Sequence, residues 1–167
     1  LKIYYKESIL KILICGDSFK RISGLSYVTL NFAKYFASKK NELSYCVITG
    51  EKCDIDDLKN KGHSFYDILS KMKVIYNPNK LEISHNSFNE IIKDYKPDLI
   101  FSCHDLWQFE NIAFSLYRET YKWIAYCPVE SEYYSDYIIY PTSFDKSARK
   151  SLANICENID YIIPYNS

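Results

Sequence analysis

Polar and small side chains collect just after several apolar runs of this chain. One run, at 11–16, passes into a polar loop, and two others end before a His-Asp pair and before a pair of glutamates. The candidates fall into three groups: Gly16, Asp17, Arg21, Ser23 and Gly24; His104, Asp105 and Trp107; Glu130 and Glu132. Histidine and carboxylate side chains exchange protons with a ligand or hydrogen-bond its hydroxyl groups. These residue types predict a ligand site, provided that the fold brings the ends of the runs together.

The loop between Gly16 and Gly24 is the candidate for binding an anion. It joins an apolar run to a helical pattern in the stretch "KILICGDSFKRISGLSYVTLNFAKYFA" (11–37). A helix N-terminus carries partial positive charge, and glycine lets a ligand approach the backbone closely. Neither G-x-G-x-x-G nor G-x-x-x-x-G-K-[ST] is present. The pattern therefore fits a phosphate-binding loop or an ordinary turn between a strand and a helix.

The other candidates also have two interpretations each. His104 could hydrogen-bond a substrate hydroxyl, act as a base, or only complete a turn. Glu130 and Glu132 suit the hydroxyl groups of a sugar but are equally typical of solvated loop charges. Trp107 is either a platform for a ligand or part of the core. No three residues with the spacing of metal ligands gather in the sequence, so no metal site is predicted.

Apolar runs alternate with helical patterns along the whole chain. Strands are predicted over 11–18, 43–50, 72–78, 97–105, 122–130 and 160–167, and helices over 24–40, 54–62, 84–96, 106–121 and 143–159. Continuous apolar strands indicate a sheet buried on both faces. We therefore predict an α/β fold, a Rossmann-like three-layer domain with a mostly parallel sheet of six or more strands. Ligands of such sheets bind beyond the carboxyl ends of the strands, which is where the polar candidates lie.

Composition narrows the class of protein. The 167 residues predict a single domain over 1–167, and their formal net charge of zero gives no basic surface for nucleic acid. The six cysteines form no C-x-x-C pair, so a zinc ribbon is not predicted. Charged residues interrupt the apolar start of the chain, and no run reaches the roughly 20 apolar residues of a membrane span. We expect a cytoplasmic protein without a transmembrane segment.

Four stretches together resemble the N-terminal domain of a GT-B glycosyltransferase of the retaining, family-4-like group. The opening stretch 11–37 is similar to that family's first strand, loop and helix. The others are "KPDLIFSCHDLWQFENI", "YKWIAYCPVESE" and "ENIDYIIPYNS", which resemble its later strands in order and spacing. The last departs from the family pattern, because Tyr165, Asn166 and Ser167 replace the more usual serine-containing form.

The resemblance implies an enzyme that moves a hexosyl group from a nucleotide-sugar to an acceptor hydroxyl with retention. The acceptor would be a glycan, lipid or protein. This chain would supply the acceptor side of the cleft, would be inactive alone, and would need a C-terminal donor-binding domain. No metal or other cofactor is implied. The roles it implies are catalytic for His104 and Asp105, donor-phosphate contacts for Gly16, Asp17, Arg21, Ser23 and Gly24, and acceptor contacts for Trp107, Glu130 and Glu132.

Two alternatives stay open beside the glycosyltransferase. The first is a stand-alone Rossmann-like module that binds a nucleotide or a sugar without catalysis. The second is a receiver-like or flavodoxin-like signalling domain. A receiver needs an acidic cluster at the end of the first strand and a phosphorylatable aspartate after the third strand. The sequence "VIYNPN" (74–79) holds no aspartate, so this second alternative ranks last.

Overall fold

A computed structural model describes residues 9–20, 23–76, 83–128, 133–134, 137–138, 155 and 157–165. The strands are β1 (Lys11–Asp17), β2 (Glu42–Thr49), β3 (Lys73–Ile75), β4 (Leu99–Cys103), β5 (Lys122–Pro128), β6 (Tyr133–Tyr134), β7 (Tyr137–Ile138) and β8 (Tyr161–Tyr165). The α-helices are α1 (Gly24–Ser38), α2 (Ile55–Asn60), α3 (Tyr66–Leu69), α4 (His85–Tyr95) and α5 (Glu110–Ala113). Two 3₁₀ turns cover Leu106–Phe109 and Arg118–Thr120.

Six of the strands form one parallel sheet in the order β3-β2-β1-β4-β5-β8. The short strands β6 and β7 pair separately and antiparallel. From β1, the strands β2 and β3 are added toward one edge of the sheet, and β4, β5 and β8 are added toward the other edge. The direction in which successive strands are added therefore reverses between β1 and β4. The predicted α/β, Rossmann-like class and its parallel sheet are confirmed. The point between β1 and β4 is the topological switch point at which such sheets open a crevice.

Successive side chains of each strand point to opposite faces of the sheet, so the core is divided into two parts, one on each face. Leu13, Cys15 and Trp123 are fully buried on one face, where they pack with residues of α4 and α5. Ile14 and Phe101 are fully buried on the other face, against α1. The apolar runs of the sequence therefore reflect burial on both sides, as predicted for a sheet covered by helices.

Serine side chains begin α1 and α4, the two longest helices in the described ranges. Ser23 accepts a hydrogen bond from the Ser26 backbone N–H at the start of α1, and Ser84 accepts one from Ser87 at the start of α4. Helix α4 therefore begins at the start of the helix predicted over 84–96. Lys96 ends α4 in the left-handed conformation, with φ of 51°.

The predicted helix over 106–121 is wrong, because the chain forms α5 between two 3₁₀ turns there. Asn89 of α4 explains the interruption. Its side-chain oxygen accepts hydrogen bonds from the Ser115 hydroxyl at 2.7 Å and from the Leu116 backbone N–H at 3.1 Å. That backbone N–H is therefore not available to continue a helix. Most of the helix predicted over 143–159 lies outside the described residues.

Candidate functional site

A polar cleft of about 440 Å³ opens at the carboxyl ends of β1 and β2. The last residues of the two strands, Asp17 and Thr49, form its floor together with the residues that follow them. Among the residues that the structure describes, its lining is Asp17, Ser18, Lys20, Ser23, Thr49, Gly50 and Glu51. The cleft thus lies between the loop that enters α1 and the loop that leaves β2, at the edge of the sheet where the sequence predicted a site.

Asp17 and His104 meet at the switch point, although 86 residues separate them in the chain. His104 Nε2 lies 3.0 Å from Asp17 Oδ1, and the Thr49 hydroxyl donates to the same oxygen at 2.5 Å. The backbone N–H of Asp105 donates to His104 Nδ1 at 2.7 Å. A neutral ring with its proton on Nε2 satisfies both contacts. These bonds connect the carboxyl ends of β1, β2 and β4.

Burial and the contacts between the two residues shift the pKa of His104 and the pKa of Asp17 in opposite directions. Burial lowers the pKa of His104, but the hydrogen bond and charge of Asp17, with the charge of Asp105, more than offset it. The net result is a pKa above its ordinary value. Burial raises the pKa of Asp17, yet the hydrogen bonds from His104 and Thr49 bring it below its usual value. Each partner therefore favours the charged form of the other.

The loops on the two sides of the cleft are tied together. The Ser18 backbone N–H donates to the carbonyl of Thr49 at 3.0 Å, and the Ser18 hydroxyl donates to the carbonyl of Glu51. The Lys20 backbone N–H donates to the Ser18 hydroxyl at 3.1 Å. Above these backbone contacts, the Lys20 ammonium forms an ion pair with the Glu51 carboxylate. The backbone of the cleft is therefore fixed by Ser18, whereas its mouth is spanned by two side chains.

The two glycines of the first loop differ in their surroundings. A Cβ at Gly24, the first residue of α1, would meet no atom within 4 Å. A Cβ at Gly16 would lie 2.4 Å from the hydroxyl oxygen of Tyr45. Gly16 is consequently needed for packing inside β1, whereas Gly24 leaves an open approach to the helix N-terminus.

The structure brings together some of the predicted site residues. Asp17 and Ser23 line the cleft, His104 contacts Asp17, and Gly24 follows Ser23. Trp107 lies on the 3₁₀ turn after β4, with 47% of its surface exposed. The remaining three predicted residues, Arg21, Glu130 and Glu132, lie outside the described residues. The binding and catalytic roles of the site residues stay predictions.

The prediction missed the residues that close the cleft on the β2 side. Gly50, with φ of 95°, adopts a backbone conformation that favours glycine, and a Cβ there would lie 2.8 Å from Ser18 Cβ. Lys20, Thr49 and Glu51 also line the cleft. One signal in the sequence could have indicated these residues. Ligands of parallel sheets bind beyond the carboxyl ends of the strands, and this rule applies to the second strand as much as to the first.

The fold and the cleft define a Rossmann-like α/β domain with a polar site at its carboxyl edge. Among solved structures, the chain is similar to that of a universal stress protein in complex with cAMP. The likeness has a TM-score of 0.36 and 10% sequence identity, and covers 95% of this chain and 98% of that chain. No protein-family model matches the sequence, and a comparison with curated proteins found no match.

The prediction of a GT-B glycosyltransferase domain is wrong, since the similar solved structure is that of a universal stress protein, and neither a family model nor a curated protein gives a glycosyltransferase match. The quoted stretches owe their likeness to the core of the fold. Trp123 and Ala125 of "YKWIAYCPVESE" are fully buried in β5, as Phe101 is in β4. Such strands are required by any parallel sheet covered on both faces. The sugar donor and the acceptor that the resemblance implied lose their basis with it, whereas the predicted domain organisation stays a prediction.

Two further findings concern a membrane-spanning helix and a metal site, neither of which the sequence predicted. No helix in the described ranges is long and apolar enough to cross a lipid bilayer. Over the same part of the chain, no group of three or more His, Cys, Asp and Glu side chains is arranged to hold a metal ion. The cytoplasmic location and the expectation of no cofactor stay predictions.

Proposed function

We propose that this domain is a binding module that holds a nucleotide or a sugar in the cleft between β1 and β2. One observation carries the proposal: the strand ends and the start of α1 converge on one polar cleft, lined by carboxylate, hydroxyl and ammonium groups. Its volume of about 440 Å³ falls within the range of roughly 300–1,000 Å³ for small-molecule sites.

The start of α1 suits a phosphate group. The first N–H groups of an α-helix have no partner inside the helix. In α1, the Ser23 side chain meets the N–H of Ser26, and the Ser23 carbonyl meets that of Tyr27 at 3.2 Å. The N–H groups of Gly24 and Leu25 precede these bonds and have no acceptor within the helix. Beside the open position at Gly24, they can donate to an anion.

The strand ends suit hydroxyl groups. Both His104 and Thr49 contact Oδ1 of Asp17, and with respect to the described residues Oδ2 can still accept a hydrogen bond from a ligand. Because these two partners hold the carboxylate in place, a ligand would not have to order it on binding. A ligand that carries hydroxyl groups next to a phosphate, as nucleotides and sugar phosphates do, matches this combination.

Calorimetric titration of the purified chain tests the proposal. The panel contains four nucleoside diphosphates, ribose 5-phosphate and glucose, each to millimolar concentration. We expect at least one nucleotide or sugar to bind, and Gly24→Val to weaken its binding at least tenfold, because the valine side chain occupies the approach to α1. The fold should not change, since a Cβ at this position meets no atom within 4 Å.

Ser38→Val, at the other end of α1, is the matched control and should bind as the wild type does. Thermal unfolding of all three proteins checks that each is folded. The proposal fails if no member of the panel binds to the wild type, or if the binding of wild type and Gly24→Val is equal.

A further inference from the structure

Lys20 and Glu51 stand on opposite sides of the cleft and form an ion pair across its mouth. Both side chains are more than half exposed, at 55% and 59%. Exposed ion pairs contribute little to stability, because water solvates each charge and salt screens their attraction. This pair can therefore open at little cost when another partner is offered to each charge.

The backbone beneath the two side chains is held much more firmly. The carbonyl of Glu51 accepts the hydrogen bond from Ser18. Two residues further on, the carbonyl of Cys53 accepts one from the Tyr76 hydroxyl at 2.9 Å. The Lys20 backbone is tied to Ser18 at 3.1 Å. An ammonium and a carboxylate are thus presented from fixed positions, while the bond between them is exchangeable.

We propose that Lys20 and Glu51 are specificity-determining residues that select a ribonucleoside phosphate, an inference that rests on the proposed function. The ligand opens the ion pair, its phosphate accepts hydrogen bonds from the Lys20 ammonium, and its ribose 2′- and 3′-hydroxyls donate to the Glu51 carboxylate. The exchange replaces one exposed ion pair with two sets of charge-assisted hydrogen bonds inside the cleft.

This exchange requires both chemical groups in one ligand. A nucleoside without phosphate would engage Glu51 and leave the Lys20 ammonium without its anion. A nucleotide without the vicinal hydroxyls would engage Lys20 and leave the carboxylate of Glu51 without a donor. Because a charged group that loses its partner in a cleft weakens binding, either ligand should bind less well than the complete ribonucleotide.

The experiment measures how each residue responds to each chemical group of the ligand. The probe is whichever of ADP, GDP, CDP and UDP binds most tightly to the wild type, compared with its 2′,3′-dideoxy form and with its nucleoside. Glu51→Gln should weaken the diphosphate about tenfold or more and should not weaken the dideoxy form, which makes no hydrogen bond to this carboxylate. Lys20→Met should weaken the diphosphate to a similar extent and should not weaken the nucleoside, which has no phosphate for the ammonium.

The chain provides a matched control at the opposite ends of the same two strands. Lys11 and Glu42 begin β1 and β2, and their side chains form an ion pair at 3.9 Å with exposures of 46% and 52%. Lys11→Met and Glu42→Gln remove an ion pair of similar exposure far from the cleft. Both control variants should bind the diphosphate as the wild type does, and thermal unfolding confirms that all four variants fold.

The outcomes separate the inference from the proposed function. The inference is overturned if the diphosphate binds but Glu51→Gln weakens its dideoxy form equally. It is also overturned if Glu42→Gln has the effect of Glu51→Gln, or if a free sugar binds while all four nucleotides fail. In those cases the cleft still binds a ligand and the proposed function stands. Absence of binding by every nucleotide and sugar overturns both.

Discussion

Replacing Gly16 with alanine should destabilise the domain through a single contact, the one with the hydroxyl of Tyr45. The alanine Cβ would lie 2.4 Å from this oxygen and 3.4 Å from the ring carbon that carries it. Tyr45 is fully buried, and its hydroxyl donates to the carbonyl of Asp17 at 3.1 Å. The ring therefore has no solvent to move into, and any shift lengthens a buried hydrogen bond.

Overpacking a core by one methyl group costs about 1–3 kcal/mol, and a weakened buried hydrogen bond adds about 1 kcal/mol. We therefore expect Gly16→Ala to lower the free energy of unfolding by about 2–4 kcal/mol. Tyr45→Phe alone removes the hydrogen bond and should cost about 1 kcal/mol. In the phenylalanine background the alanine Cβ meets the ring carbon and Thr29 Cγ2, both at 3.4 Å, so the added cost of Gly16→Ala should fall below about 1 kcal/mol.

Equilibrium unfolding in urea of the wild type, both single variants and the double variant gives the coupling free energy directly. Gly24→Ala is the control for the loss of a glycine, because its Cβ meets no atom within 4 Å, and it should leave stability unchanged or slightly higher. Equal costs of Gly16→Ala in the tyrosine and phenylalanine backgrounds would refute the reasoning, because the hydroxyl would then not be the source of the strain.

The pair formed by His104 and Asp17 and the separate carboxylate of Asp160 each give a prediction on how stability depends on pH. Since the pKa of His104 is raised from 6.5 and that of Asp17 lowered from 3.8, their pairing should stabilise the fold fully between pH 3.8 and 6.5 and less outside that window. Nuclear magnetic resonance of the His104 ring should show its pKa falling in Asp17→Asn, and an unchanged pKa would exclude the pairing as the cause. At Asp160, burial raises the pKa, but hydrogen bonds, chiefly from Arg118 and the Trp123 backbone N–H, bring it to about 2. Asp160→Asn should therefore cost about 1–3 kcal/mol in urea unfolding at pH 7 and much less near pH 2, and an equal cost at both would contradict this explanation.

The strands could be predicted from the sequence because their apolar runs depend on burial, which dominates the choice of residues in a parallel sheet. The start of α4 could be predicted as well, since the cap at Ser84 is a local interaction. The break in the helix predicted over 106–121 could not, because it depends on Asn89, which is distant in sequence. Residue spacing carries no information about such a tertiary contact.

The candidate site was predictable as a region but not as a set of contacts. The rule that ligands bind beyond the carboxyl ends of the strands selected Asp17, which lines the cleft, and His104, which contacts Asp17. It could not indicate that Thr49 shares the same carboxylate oxygen, because that depends on the register of β1 with β2. The family resemblance failed for a related reason: it was built largely on buried strand residues, which reflect the fold more than the chemistry of the site.

The two ion pairs at opposite ends of β1 and β2 show why only one edge of this sheet suits a ligand. Lys11–Glu42 and Lys20–Glu51 differ little in exposure, so the charges alone do not distinguish them. Their surroundings do, because each helix that connects parallel strands runs back across the sheet and begins at the carboxyl edge. Partial positive charge of helix N-termini therefore accumulates beside Lys20 and partial negative charge of helix C-termini beside Lys11. A phosphate that replaces the carboxylate of Glu51 at Lys20 also gains the field of α1, whereas a phosphate at Lys11 would be opposed by the end of α4.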